Sequence, residues 1–365
     1  MPDASSYSPD YVAARARFRA AAYALDAHVE HHPLDALGPD GEDLSIDVAR
    51  LGRMDARRVV VITSGLRGVE GFFGSAAQAA LLEEAIGTWR PPADAALLLV
   101  HGLNPWGMAW KRRVNEDNVD LNRNFLLPEQ AWRGVPEGYA RVETVLHPKT
   151  TPPRVDTFPA WMAYRALREG HGALHTTIAA GQYDRPRGLF FGGNGPSRTS
   201  VLLREQLTRW FGHAEHIFHI DLQTGVGSWG RLLLLAPHPE ESAEFKRLAE
   251  DYGGDTLVPV GGLGNAVRGQ FLPWMRHHLG ADRYEGLAAV AGTYGPIRLL
   301  SSLRAENRVH HHGIPEDPNT FRVRERMLDA LNPRSIKWRK RTVLAALRMI
   351  QRTLEVRLDA TRQRD

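Results

Sequence analysis

The chain has no cysteine among its 365 residues. That excludes disulfides, cysteine-ligated zinc and thiol catalysis, and it fits a reducing compartment. No run of about 18 apolar residues is present, so no transmembrane helix is expected. The first residues, Met1-Pro2-Asp3-Ala4-Ser5, lack the charged-then-apolar pattern of a secretion signal. These absences together predict a cytoplasmic protein. There is also no Gly-x-Ser-x-Gly elbow, and Ser64 has no evident base, so serine-hydrolase chemistry has no support. Two glycine clusters, Gly192-Gly193-Asn194-Gly195 and Gly262-Leu263-Gly264, lack both the strand–glycine–helix arrangement and the lysine of a phosphate loop. They read as loops beside a cleft.

The charge that is present is uneven. The net charge is +4, but from Arg334 onward ten Lys/Arg face three Asp/Glu, a balance of +7 that leaves about −3 for the rest. In this tail Val343, Leu344, Leu347, Ile350, Leu354 and Leu358 recur at helical spacing. The organisation expected is one domain over residues 1–333 and a basic amphipathic helix within 334–365 packed on it. Its arginine face is read as solvated rather than as a nucleic-acid or membrane contact.

The chain is long enough for a sizeable α/β core. Periodicity predicts an Ala/Arg-rich helix from about 9 to 29, ended by Pro33 and the Gly38-Pro39-Asp40-Gly41 turn. A β-branched strand, Val59–Thr63, leads into the glycine-rich stretch Ser64-Gly65-Leu66-Arg67-Gly68-Val69-Glu70-Gly71. A helix over 76–89 and an apolar strand over 95–100 follow, an order that predicts a parallel crossover. Helices near 159–170 and 200–211 and strands near 216–222, 231–236 and 287–291 complete the reading. The fold class expected is a three-layer α/β/α architecture with a mixed, mostly parallel sheet, its site at the carboxyl ends of the central strands.

Several blocks carry a resemblance. They are Ser64–Gly71; His101-Gly102-Leu103-Asn104-Pro105-Trp106-Gly107; Arg112-Arg113-Val114-Asn115-Glu116-Asp117-Asn118-Val119-Asp120-Leu121-Asn122-Arg123-Asn124-Phe125; Gly181-Gln182-Tyr183; Gly192-Gly193; Asp221-Leu222-Gln223-Thr224-Gly225; and Glu306-Asn307 through His310-His311-His312-Gly313. In that order, nearly end to end, the chain resembles the zinc carboxypeptidase superfamily, most closely a bacterial branch catalogued as a domain of unknown function.

The resemblance implies a zinc ion held by His, Glu and a second His, with a further Glu as general base on the metal-bound water. Matched position by position, the first His is Arg67, the Glu is Glu70, the second His is Gln223 and the base is Val290. Only Glu70 remains. A guanidinium has no lone pair to offer a metal. Arg67, three residues from Glu70, is therefore expected to supply the missing positive charge by pairing with it. That pairing should lower the carboxyl's pKa and make it a poorer base. The resemblance also assigns Asn122 and Arg123 to a substrate's terminal carboxylate, and Arg113 ahead of Arg112 to a reacting carbonyl. An equally weighted alternative has Arg123 pairing with Asp120 or Glu116 within its loop.

The first functional reading is a metal-free pseudopeptidase that binds a peptide or small amino-acid-like carboxylate. The second is an enzyme with zinc-independent acyl or amide chemistry leaning on Arg67, Glu70 and Gln223. The third is a hydrolase whose zinc ligands are relocated to Glu70, His219 and Asp221, since His219, Asp221 and Gln223 share one strand face. No cofactor is expected unless that third reading holds. The His310–His312 run reads as structural, because adjacent helical residues point in different directions.

Overall fold

The structure, a computed structural model, describes residues 6–87, 89–153, 155–169, 177–225, 227–259 and 267–358. The Gly262–Gly264 cluster lies outside them.

The amino-terminal helix α1 spans Tyr11–Tyr23. Asp10 caps it by accepting from the Ala13 amide at 2.8 Å. Where the sequence predicts this helix to continue towards residue 29, the chain instead turns into a hairpin of β1 (His28–Leu37) and β2 (Asp43–Gly52). The Gly38–Gly41 turn thus joins two strands rather than ending a helix, and Gly41 supplies the positive φ of 78°. Pro33 is tolerated because β1 is an edge strand.

Next come β3 (Arg58–Ser64), α2 (Gly71–Ala80) and β4 (Ala95–His101). Helix α2 starts five residues before the predicted Ala76 and passes into one π-helical turn at Leu81–Ala85. Its early glycines read as loop in the sequence, but they permit contact. A Cβ at Gly74 would sit 2.5 Å from Ser64 Cβ, and one at Gly71 would sit 2.7 Å from Gly65 Cα. Strands β3 and β4 pair in parallel, as the crossover requires.

Short helices α3 (Pro105–Ala109) and α4 (Ala140–Leu146) precede α5 (Phe158–Glu169) and α6 (Arg198–Phe211). The remaining strands are β5 (His216–Gly225), β6 (Leu232–Ala236), β7 (Leu257–Pro259) and β8 (Tyr284–Gly292). Helices α7 (Ala243–Tyr252), α8 (Phe271–Leu279), α9 (Pro296–His312), α10 (Pro318–Leu331) and α11 (Ile336–Arg357) complete the chain.

The eight strands form one sheet in the order β1-β2-β4-β3-β5-β8-β6-β7. The central β4-β3-β5-β8 run is parallel, while β2 and β6 join it antiparallel. This is the mixed, mostly parallel sheet expected, with helices on both faces. Two apolar clusters fill those faces. One joins α1, α2 and α11 through Phe18, Phe73, Trp338 and Ile350. The other joins α6 and α8 through Leu203, Trp210, Phe271 and Trp274. Among the described residues, no helix is long and apolar enough to cross a membrane.

Candidate functional site

The parallel strands end at the same edge of the sheet, and the loops leaving them converge there. After Ser64 the backbone turns through Gly65 and Gly68, at φ 78° and 50°. A single 3-10 turn, Gly68–Glu70, then feeds α2. A Cβ on Gly68 would lie 2.1 Å from the Arg112 carbonyl, so only glycine lets this turn lie against the Arg112–Arg113 segment. The Val69 amide donates to that same carbonyl at 2.9 Å. Sequence-distant residues 70 and 113 are thereby locked side by side.

Glu70 is buried, 1% exposed. One carboxylate oxygen, Oε1, accepts from Arg113 Nη1. The other, Oε2, accepts from the Thr224 amide at 3.2 Å, at the end of β5. Arg67 Nη1 stands 3.8 Å from Oε2, so the expected Arg67–Glu70 pair is present as an ion pair, longer than a hydrogen bond. Arg113 makes the closer contact, which spacing in the sequence did not reveal. Burial pushes the Glu70 carboxyl above its ordinary value, and Arg113, Arg67 and the Thr224 amide only partly offset that. This corrects the sequence expectation of a lowered value: desolvation outweighs the arginine.

Arg113 also donates to Asp120 Oδ2 through Nε and Nη2, at 3.4 and 3.3 Å. Asp120 is fully buried, and burial alone would raise it. Arg113, Arg123 and Arg67 nevertheless hold its carboxyl below the usual range. Arg112 turns the other way and pairs with Glu306 Oε1 of α9 at 2.6 Å, both side chains buried. The two arginines are thus separated in space: Arg113 belongs to the Glu70 cluster, Arg112 to the support of its loop.

Asn122 and Arg123 lie in a buried 3-10 turn, Leu121–Arg123, started by Asp120 accepting from the Asn122 amide at 3.1 Å. Asn122 Oδ1 accepts from the Phe271 amide at 3.0 Å. Arg123 donates to the Ala179 carbonyl through Nε and Nη2, at 3.1 and 2.6 Å, and to the Asn122 carbonyl through Nη1 at 2.7 Å. It pairs with neither Asp120 nor Glu116, contrary to the alternative drawn from the sequence, because Arg113 occupies Asp120. Burial brings the Arg123 guanidinium down to about 10, against the pull of Asp120. The guanidiniums of Arg113 and Arg123 lie 5.8 and 5.9 Å from the Phe190 ring centroid, a shared cation–π contact with no sequence signal.

On β5 the alternation places His219, Asp221 and Gln223 on one face, as predicted. They form a hydrogen-bonded row. Gln223 Nε2 donates to Asp221 Oδ2. Thr63 Oγ1 donates to Asp221 Oδ1 at 2.7 Å and lies 2.9 Å from His219 Nε2. His219 Nδ1 lies 2.7 Å from the Tyr284 hydroxyl. Burial lowers the His219 ring to about 3, so it is neutral at physiological pH. Val290 pairs in register with Gln223 across β5–β8 and is buried. Among the described residues, no three His, Cys, Asp or Glu side chains group as ligands for a metal ion. His310, His311 and His312 end α9, their neighbouring rings set edge-on at centroid distances of 4.7 and 6.3 Å.

The chain matches the model of one protein family over residues 7–345, described as "Protein of unknown function (DUF2817)". The chain belongs to that family. No curated protein matches it. Solved structures to which it is similar include carboxypeptidase A from Helicoverpa armigera, at 11% identity and a TM-score of 0.47, covering 88% of this chain and 73% of that one. Bovine thrombin-activatable fibrinolysis inhibitor, in complex with tick carboxypeptidase inhibitor, matches at 10% identity and a TM-score of 0.47, covering 96% and 99%. Succinylglutamate desuccinylase from Chromobacterium violaceum matches at 14% identity and a TM-score of 0.37, covering 90% and 76%.

Proposed function

We propose that this protein is a metal-free, carboxypeptidase-like binder of a peptide or amino-acid-like carboxylate. One observation carries the reading. Arg113 takes both buried carboxylates of the cluster, and neither Arg67 nor Arg123 has a carboxylate within hydrogen-bond distance. Arg67 Nε is buried and has no hydrogen-bond partner among the described residues. Arg67, a guanidinium at the cluster that makes no hydrogen bond among the described residues, suits an incoming carboxylate, which such donors bind in pairs, whereas Arg123 already spends its fork on the Ala179 carbonyl.

The donor set does not suit a zinc ion. Arg67 cannot ligate, Glu70 is engaged on both oxygens, and Gln223, its nitrogen tied to Asp221, offers only a neutral amide oxygen where zinc sites use His, Cys or carboxylate groups. Relocating the ligands would require His219 to give up its contact to Thr63 or to Tyr284 on whichever ring nitrogen took the metal. Elemental mass spectrometry of tag-free protein, before and after zinc addition and dialysis, is the direct test. The expected result is far less than one metal per chain. About one zinc per chain, lost together with any hydrolysis in His219→Ala, would overturn the reading in favour of relocated ligands. Titration with N-acetyl dipeptides should show binding that weakens roughly tenfold or more in Arg67→Met, the scale of a charge-assisted hydrogen bond.

Zinc-independent acyl or amide chemistry is the second reading, and one observation favours it. Glu70 is buried at the cluster beside Arg113, and burial raises its carboxyl above the ordinary value, the direction that makes a carboxylate a better base. Product formation that disappears in Glu70→Gln would establish that chemistry.

A further inference from the structure

The lining of the Glu70 cluster is dominated by donors: Arg67, Arg113 and Arg123. Its carboxylate oxygens are already accepting from Arg113, Thr224 and Asn122. Gln223 differs, because its amide has one end tied down and the other free. Which end is free follows from the chemistry of the row beneath it.

Asp221 is fully buried and receives a side chain on each oxygen, Thr63 on Oδ1 and Gln223 on Oδ2. A carboxylate only accepts. Thr63 must then donate its single proton to Asp221 and accept from His219 Nε2–H, and the neutral ring accepts at Nδ1 from Tyr284. Each contact in the row finds a donor and an acceptor. If the carboxyl carries a proton on Oδ1, the Thr63–His219–Tyr284 relay runs in reverse and Oδ2 still accepts. In both states the Gln223 nitrogen faces Asp221. Only a proton on Oδ2 would turn the amide over, and that would present its NH2 to a site already lined with guanidinium donors. Gln223 Oε1 is therefore the outward end. Among the described residues it makes no hydrogen bond, and Gln223 as a whole is 6% exposed. The adjoining Thr224 amide donates to Glu70 Oε2, so Gln223 is the chain neighbour of a residue bound to the same carboxylate that Arg67 and Arg113 face.

We infer that Gln223 Oε1 selects ligands whose carboxylate is accompanied by an amide N–H, namely peptides and N-acyl amino acids, over esters and N-alkylated amides of the same shape. The inference rests on the carboxylate-binding reading above. A ligand with an N–H satisfies both the arginines and the glutamine oxygen. An ester leaves that oxygen facing the ester oxygen, lone pair to lone pair. An acceptor desolvated without a partner costs enough to give roughly a tenfold to hundredfold difference in affinity. Gln223 is thus a specificity residue in the position where the superfamily resemblance puts a metal ligand.

The experiment is isothermal titration of the full-length protein with two matched probe sets. One holds N-acetyl dipeptides covering the natural C-terminal residues. The other holds the corresponding depsipeptides, with the amide N–H nearest the carboxylate replaced by oxygen. The expected result is at least tenfold tighter binding of the amide member, the gap shrinking to within about twofold in Gln223→Met. Equal binding of amide and ester by the unaltered protein would overturn the inference and leave the carboxylate reading intact. No binding of either set would overturn both. The comparison on the unaltered protein stands alone, so a Gln223→Met chain that fails to fold does not weaken the test.

Discussion

Buried ionic groups in this protein come in sets, and what happens when a set is broken depends on what is left behind. Arg112 and Glu306 are sealed together, 4% and 5% exposed at the side chain. Arg112→Leu strands a buried carboxylate, so it should cost about 3–5 kcal/mol, whereas Arg112→Leu with Glu306→Leu should recover most of that. Urea midpoints of the two variants decide it, and a single variant no worse than the double would refute the argument. His101 offers a second test. It is wholly buried, stacks on Phe18 at 4.6 Å and bonds Ser75 Oγ at 2.9 Å. Burial lowers its ring from 6.5 to about 4. Between those values the unfolded chain takes up a proton that the folded chain refuses, so stability from His101 is complete above about pH 6.5 and falls as the pH drops towards 4. The loss should approach about 3 kcal/mol. Glu70 and Asp221, raised by burial, act in the opposite sense. The clean readout is therefore the difference in stability-versus-pH slope between the unaltered chain and His101→Phe. Identical slopes would contradict it.

At the scale of elements, the site depends on turns that tolerate no side chain. Gly68→Ala adds a methyl at φ 50° against the Arg112 carbonyl, while Gly41→Ala adds one at φ 78° with nothing within 4 Å. Gly41→Ala should cost only the backbone term, about 1 kcal/mol. Gly68→Ala should cost more and should also weaken dipeptide binding by moving Glu70 away from Arg113. Melting temperatures and the same titration separate the two effects, and equal losses in both variants would refute the idea that the Gly68 turn docks the site. The same scale explains what could be read from the sequence. β3, β4 and β8 carry apolar runs buried on both faces, so they were legible as strands, as were the alternating residues of β5, and the strand–helix–strand order made the parallel β3–β4 crossover legible. The β1–β2 hairpin was not. β1 is a polar edge strand bearing Glu30, His31, His32 and Pro33, and its alternation is lost among charged residues. Glu70 and Arg67 were legible as a pair because they sit one turn apart. The Arg113 contact to Glu70 and the Arg123 bonds to the Ala179 carbonyl depend on loop closure over dozens of residues, which no spacing encodes.

For the whole molecule the question is whether the basic carboxyl-terminal helix belongs to the fold or serves as a contact surface. Its apolar face is part of the core. Trp338, Val343, Ala346, Leu347 and Ile350 are buried in the cluster that also holds Phe73 and Phe18. Trp338 lies 6.2 Å from the Phe73 ring and donates its indole N–H to the Gly292 carbonyl at 2.8 Å, tying α11 to the end of β8. The family match stops at residue 345, part-way along this helix, yet Ile350 and Leu354 beyond it are as buried as the residues before it. Trp338→Ala should therefore cost about 3–5 kcal/mol through the cavity and the lost indole bond. Lys337 and Lys340 sit on the opposite, exposed face. If that face is only solvated, Lys337→Glu with Lys340→Glu should change stability by no more than about 0.5 kcal/mol, and heparin-column retention should fall only as the net charge falls. A large loss of retention alongside unchanged stability would mean that the face binds a polyanion, and the solvated reading of the tail would have to be given up. Unfolding midpoints and salt-dependent retention, measured on the same two chains, distinguish a helix that completes the core from one that also carries a partner.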